Sequence, residues 1–136
     1  MTPRWVVAVL IVAGPLHAQA TLAEAAGAAR AAWLAHDAQA IVGQSATVAL
    51  QIPGTNPSAA LERGQAAELL RRYLHTAVEH AVRVRRVGEV AAGSGFVELE
   101  REYGVRGTTD VRRETIWLRF RYEGDHWRLA ELRAGP

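Results

Sequence analysis

Cysteine is absent from the 136 residues. That removes disulfides, thiolate metal sites and thiol nucleophiles, so the core alone has to hold the fold. Lysine is absent too, and every basic residue is arginine. The arginines nearly balance the acids, leaving a formal charge of only +2. A nucleic-acid surface needs positive charge in excess on one face. Here arginine and glutamate interleave, so no nucleic-acid partner is expected. Aspartate is scarce, and Asp37, Asp110 and Asp125 all fall in turn-like contexts.

Long apolar runs are also missing, with one exception. Residues 5–13 (WVVAVLIVA) follow Arg4 and are broken by Gly14 and Pro15. The run has the length of a signal-peptide core and is too short to cross a bilayer. Ala18, Gln19 and Ala20 form a small-x-small cleavage site. No cysteine follows the run, which excludes a lipid-modified anchor. The expectation is a cleaved leader over residues 1–20 and a single domain over residues 21–136. The mature chain would be exported to the periplasm or secreted from a bacterium, with no membrane attachment.

What remains is patterned. Thr21 and Glu24 have capping-box spacing. Leu22, Ala25, Ala26, Ala29, Ala32 and Trp33 then recur at helical spacing, with Trp33 supplying most of the bulk. Asp37 is placed to cap a short helix over residues 38–42 that ends at Gly43. A short strand is expected over residues 47–52 and a turn over residues 53–57. Residues 64–78 form the strongest helical stripe, through Ala66, Leu69, Leu70, Tyr73, Leu74, Ala77 and Val78.

From residue 80 onward the period changes to two, the mark of strands with one buried face. Strands are expected over residues 80–90, 96–105, 114–122 and 126–133. On the second of these, Val97, Leu99, Arg101, Tyr103 and Val105 share the apolar face, while Glu98, Glu100 and Glu102 share the other. The glutamates are expected to meet Arg119 and Arg121 across the sheet. Ile116, Leu118, Phe120 and Tyr122 face the core, and Trp117 faces out.

This order of elements resembles the nuclear transport factor 2-like superfamily, also called SnoaL-like or cystatin-like. The local sequences that carry it are residues 31–40 (AAWLAHDAQA), 64–74 (GQAAELLRRYL) and 124–129 (GDHWRL). The closest resemblance is to small secreted bacterial domains of unknown function. It implies an α+β fold, a curved antiparallel sheet wrapped on about three helices to make a cone. Such a fold serves enzymes and binding modules alike. The family's isomerases resemble one another in an Asp base and a Tyr–Asp oxyanion site. Here residues 47–52 carry no acid, and Trp33 stands where a Tyr is expected. The dehydratase and epoxide-hydrolase patterns need inward His or Asp-Arg-Asp clusters, and neither can be assembled from the strand pattern.

Arg101 is the anomaly on the apolar face. Buried, it needs an anion, since an unpaired buried charge is too costly to keep. Glu131 from the last strand is one candidate, and a bound acid is the other. Glu131 reaches the cone only if it follows Trp127 and Leu129 inward, and a bulge would reverse this. Arg101, Tyr103 and Glu131 are therefore the candidate ligand pocket. His75, Glu79 and His80 lack a third ligand on one face, so no metal or other cofactor is expected. Trp117, exposed on a charged sheet face, is the candidate partner surface. The expected function is a non-catalytic binding module for a small acidic or apolar ligand or a protein. It would be dimeric through the outer sheet face. The alternative is a small isomerase or dehydratase.

Overall fold

The computed structural model describes residues 14–136, with side chains from Leu22 onward. The leader expected over residues 1–20 lies mostly outside the described residues, and its cleavage site falls where only backbone is described. Helix α1 (Gly14–Leu34) therefore begins earlier than the capping box at Thr21 suggests. Its buried face is Leu22, Ala26, Ala29, Ala32 and Trp33, the expected stripe. Helix α2 (Ala38–Val42) is capped as expected: the Ala40 amide donates to Asp37 Oδ1 at 3.0 Å. Gly43 ends it with φ +66°, a conformation open to glycine. His36, just before the cap, adopts a left-handed backbone at φ +53°.

Strand β1 (Thr47–Gln51) pairs with β2 (Ala60–Glu62), a three-residue strand that the sequence pattern does not announce. Helix α3 (Arg63–His75) buries Ala66, Leu70 and Leu74. It stops before Ala77 and Val78, which had the right spacing to extend it. Those two residues instead open β3 (Ala77–Ala91), where Ala77 pairs with Val105. Pairing in the sheet overrides the helical spacing at the junction.

The remaining strands are β4 (Ser94–Val105), β5 (Val111–Glu123) and β6 (His126–Gly135). The sheet order is β2-β1-β6-β5-β4-β3, antiparallel except for the β1–β6 pair. The fold is α+β, with a curved, unclosed sheet and its helices on one face. On β4 the alternation is as expected: Val97, Leu99, Arg101 and Tyr103 are buried. Gly95 is a tight point, because a Cβ there would sit 2.8 Å from Leu22 Cδ2 and 3.2 Å from Trp127. A side chain there would require Leu22 and Trp127 to shift where α1 meets the hairpin end of the sheet.

One expectation about the outer face is corrected by register. Glu98, Glu100 and Glu102 lie opposite Trp117, Thr115 and Arg113, so Arg119 and Arg121 are displaced from them. The glutamates instead pair with Arg86 at 3.8 Å, Arg85 at 3.1 Å and Arg113 at 3.4 Å. Tyr122, expected inside, is 36% exposed at the end of β5.

Candidate functional site

The alternation that buries Arg101 also fixes what surrounds it. Arg101 has no exposed surface. Its guanidinium lies 3.7 Å from the Tyr103 ring centre, 5.4 Å from that of Trp33 and 5.6 Å from that of Tyr73. A strand turns alternate residues to the same face, so Arg101 and Tyr103 adjoin. Helix α1 brings Trp33 and helix α3 brings Tyr73. The guanidinium is thus sheathed in aromatic faces, an arrangement that suits its weak hydration and delocalised charge.

Its anionic partner is not Glu131. Arg101 Nε donates to Glu79 Oε2 at 3.1 Å, and Nη2 donates to the other oxygen of the same carboxylate. Nη1 donates to Glu114 Oε1 at 3.0 Å and contacts the Tyr73 hydroxyl at 3.2 Å. Tyr73 in turn donates to Glu114 Oε1 in a close hydrogen bond. The Glu79 side chain is only 3% exposed and that of Glu114 only 7%. One fork is bidentate, the strong geometry for an arginine–carboxylate pair.

Glu131 is turned away by a β-bulge. Opposite β5, Phe120 pairs with Leu129 while Arg119 pairs with Glu131, leaving Ala130 as the extra residue. The bulge moves Glu131 and Arg133 to the outer face and puts Leu132 and Ala134 inside. Of the candidate pocket, Arg101 and Tyr103 are brought together and Glu131 is not. It lies in a cleft of about 470 Å³ with Trp117, Arg119 and Arg133.

Glu79 also meets His36, whose Nε2 lies 3.1 Å from Oε1. His36 is partly exposed and opens into a polar groove between α2 and α3 that includes Asp37, Arg63 and Glu68. Glu79 therefore turns inward to Arg101 and His36, away from the His75–His80 grouping considered for a metal. Among the described residues, no group of His, Asp or Glu is arranged to hold one. Burial raises the Tyr73 hydroxyl well above its ordinary pKa, with the Glu114 hydrogen bond adding to the effect. It stays protonated and remains a donor. Burial likewise raises Tyr103, and the Glu114 charge adds to this. Trp33 Nε1 is buried with no acceptor among the described residues.

The acid–arginine–acid cluster that could not be assembled from the strand pattern is therefore present, with glutamates in place of aspartates. Three adjacent strands supply it. The chemistry open to such a cluster is proton transfer or orientation of a polar group, provided that something can reach it. The groove at His36 adjoins its Glu79 side, and a second open space lies apart from it. A cavity of about 300 Å³ sits between α1, α2 and the β5–β6 hairpin, floored by Ala29, Ile41, Phe120, Trp127 and Leu129.

On the sheet's outer face Trp117 is 37% exposed, and the Arg133 guanidinium lies 5.5 Å from its ring centre. The Trp ring is thus partly covered by the Arg133 guanidinium.

The fold is similar to that of several solved structures. A ketosteroid isomerase-like protein from Erwinia carotovora atroseptica superposes with a TM-score of 0.71 at 20% identity, covering 87% of this chain and 97% of that one. This is the nuclear transport factor 2-like fold. A DUF4783 family protein from Bacteroides ovatus shares the fold at a TM-score of 0.65 and 12% identity, covering 79% of this chain and 90% of that one. So does a domain of unknown function with a cystatin-like fold from Nostoc punctiforme, at 0.64 and 12%, covering 92% of this chain and 78% of that one. No family model and no curated protein matches the sequence. At these identities the nuclear transport factor 2-like likeness establishes architecture and leaves activity to the site itself.

Proposed function

We propose that this chain is an exported, non-catalytic binding module. The supporting observation is the state of the interior cluster. Arg101 has no exposed surface, and its donors are taken up by Glu79, Glu114 and Tyr73. A pocket built to act on a substrate keeps polar groups free to meet it. This cluster spends them on one another. In this reading Arg101 and Tyr103 hold the cone together, and a small ligand is held in the apolar cavity between α1, α2 and the last hairpin.

Glu114→Gln tests the reading. The substitution keeps size and one acceptor and removes the charge facing Arg101. A structural cluster loses about 1–3 kcal/mol, seen as a lower midpoint in urea unfolding. Catalytic residues behave differently, because active sites are often held at a cost in stability. A midpoint that stays put or rises would favour the second reading, a small isomerase- or dehydratase-like enzyme using Glu114 and Tyr73. The acid–arginine–acid geometry is the observation that keeps that reading open.

Export and assembly are part of the same proposal. Mass spectrometry of the exported protein should find a chain beginning at Thr21. Finding Met1 retained would end that part of the proposal. The second copy is placed on the outer sheet face, around Trp117. Sedimentation should give a dimer for the native chain and a monomer, or a markedly weaker dimer, for Trp117→Ala. A native chain that sediments as a monomer at micromolar concentration removes the dimer.

A further inference from the structure

The outer face of the sheet carries one charge pair that does not close. Arg119 on β5 and Glu131 on β6 lie directly opposite in register. Yet they form no ion pair with each other or with any other described residue. The other glutamates on the outer faces of β4 and β5 are all committed within the chain. Glu98 pairs with Arg86, Glu100 with Arg85, Glu102 with Arg113, and Glu123 with Arg121. Arg119 is exposed and Glu131 half-buried. The bulge at Ala130 is what delivers Glu131 to this face. One step along the same two strands, Trp117 and Arg133 are also opposite each other, and all four residues line one cleft. On the far side of Glu131 the sheet carries Ala49, which leaves no side chain projecting in the way.

A patch with one open cation beside one open carboxylate suits no partner of a single sign, because either charge would repel half of it. A second copy offers both signs in the required arrangement, since a two-fold interface presents the same patch to itself. From this we infer that two copies pack outer face to outer face about a two-fold axis running between β5 and β6, parallel to the strands. Such an axis exchanges β5 with β6 and preserves height along them. It sets Arg119 over Glu131 of the partner subunit, and Glu131 over Arg119 of the partner subunit. The same rotation sets Trp117 over Arg133 of the partner subunit, so the exposed ring meets a second guanidinium. Twisted sheets that pack aligned cross at about 30°, so they approach most closely along the axis, where these two rows lie. The inference rests on the dimer reading and adds an axis and a charge pairing to it.

Sedimentation of charge-reversed variants is the test. Arg119→Glu alone sets like charges together in both symmetric contacts, and so does Glu131→Arg alone. Each should weaken the dimer roughly tenfold or more. An equimolar mixture of the two variants should recover a dimer, because each supplies the sign that the other has lost. The double variant, with both substitutions in one chain, should dimerise by itself for the same reason. Recovery in the mixture also shows that the single variants are folded. Single variants that dimerise as tightly as the native chain overturn the pairing and leave the dimer standing. Single variants that stay monomeric when mixed overturn it as well. A native chain that sediments as a monomer removes the dimer reading itself, and the pairing with it.

Discussion

Arg101→Ala is expected to cost about 3–5 kcal/mol and to leave many preparations unfolded at ambient temperature. The loss of the guanidinium does not merely delete hydrogen bonds. It leaves Glu79 and Glu114 facing each other across the space it occupied, both almost wholly buried. Two carboxylates without a cation in a low-dielectric site repel, and each lacks most of its hydration. His36, beside Glu79, can relieve only one of them. The contrast that identifies the mechanism is a triple substitution, Arg101→Met with Glu79→Leu and Glu114→Leu. Replacing the whole buried set by apolar groups removes the desolvation cost along with the attraction, and should recover most or all of the stability. Urea unfolding of both variants checks this. A single variant that loses less than about 1 kcal/mol would mean that the cluster is far better hydrated than its burial indicates.

How much of this was visible in the sequence varies from residue to residue. Arg101 stood out because it interrupts Val97, Leu99 and Tyr103 on one face. The same test applied to β5 would have found Glu114, which shares parity with Ile116, Leu118 and Phe120 and is the acid on an otherwise apolar face. It lies directly opposite Arg101 in the sheet register. That signal was present and missed. Glu79 was not readable in this way. A register shift between Glu79 and Ala81 breaks the alternation, so Glu79 and Val82 face inward despite opposite parity. The bulge at Ala130 hid the fate of Glu131 for the same reason. Period-two arguments carry across unbroken pairing and fail wherever one residue is inserted. Tyr73 lies on the helical stripe and packs, partly buried, against the core. Its hydroxyl role depends on which strand end lies under α3, a matter of tertiary docking. The helices, β1 and the four long strands were legible in chain order because capping, spacing and turn residues agree with one another, whereas the short β2 carries no such signal.

Trp33→Ala is expected to cost about 3–5 kcal/mol, comparable to the loss of Arg101. Trp33 is fully buried at the end of α1, edge-on to Tyr73 with ring centres 6.4 Å apart. The rest of the α1 core face is mostly alanine, which buries little area, so no neighbour can expand into the space. The indole also walls one side of the Arg101 guanidinium. Its removal opens a path for water to the cluster and weakens the low-dielectric setting in which the ion pairs act. The two substitutions should therefore be non-additive, with a coupling of about 0.5–3 kcal/mol in a double-mutant cycle. Trp33→Phe separates packing from polarity. It keeps a ring against Tyr73 and removes the indole N–H that has no acceptor among the described residues. Loss of area and relief of an unmet donor oppose each other, so Trp33→Phe should cost less than about 1.5 kcal/mol. If Trp33→Phe is as damaging as Trp33→Ala, the indole nitrogen has a partner that matters, such as a bound water, and water reaches the cluster.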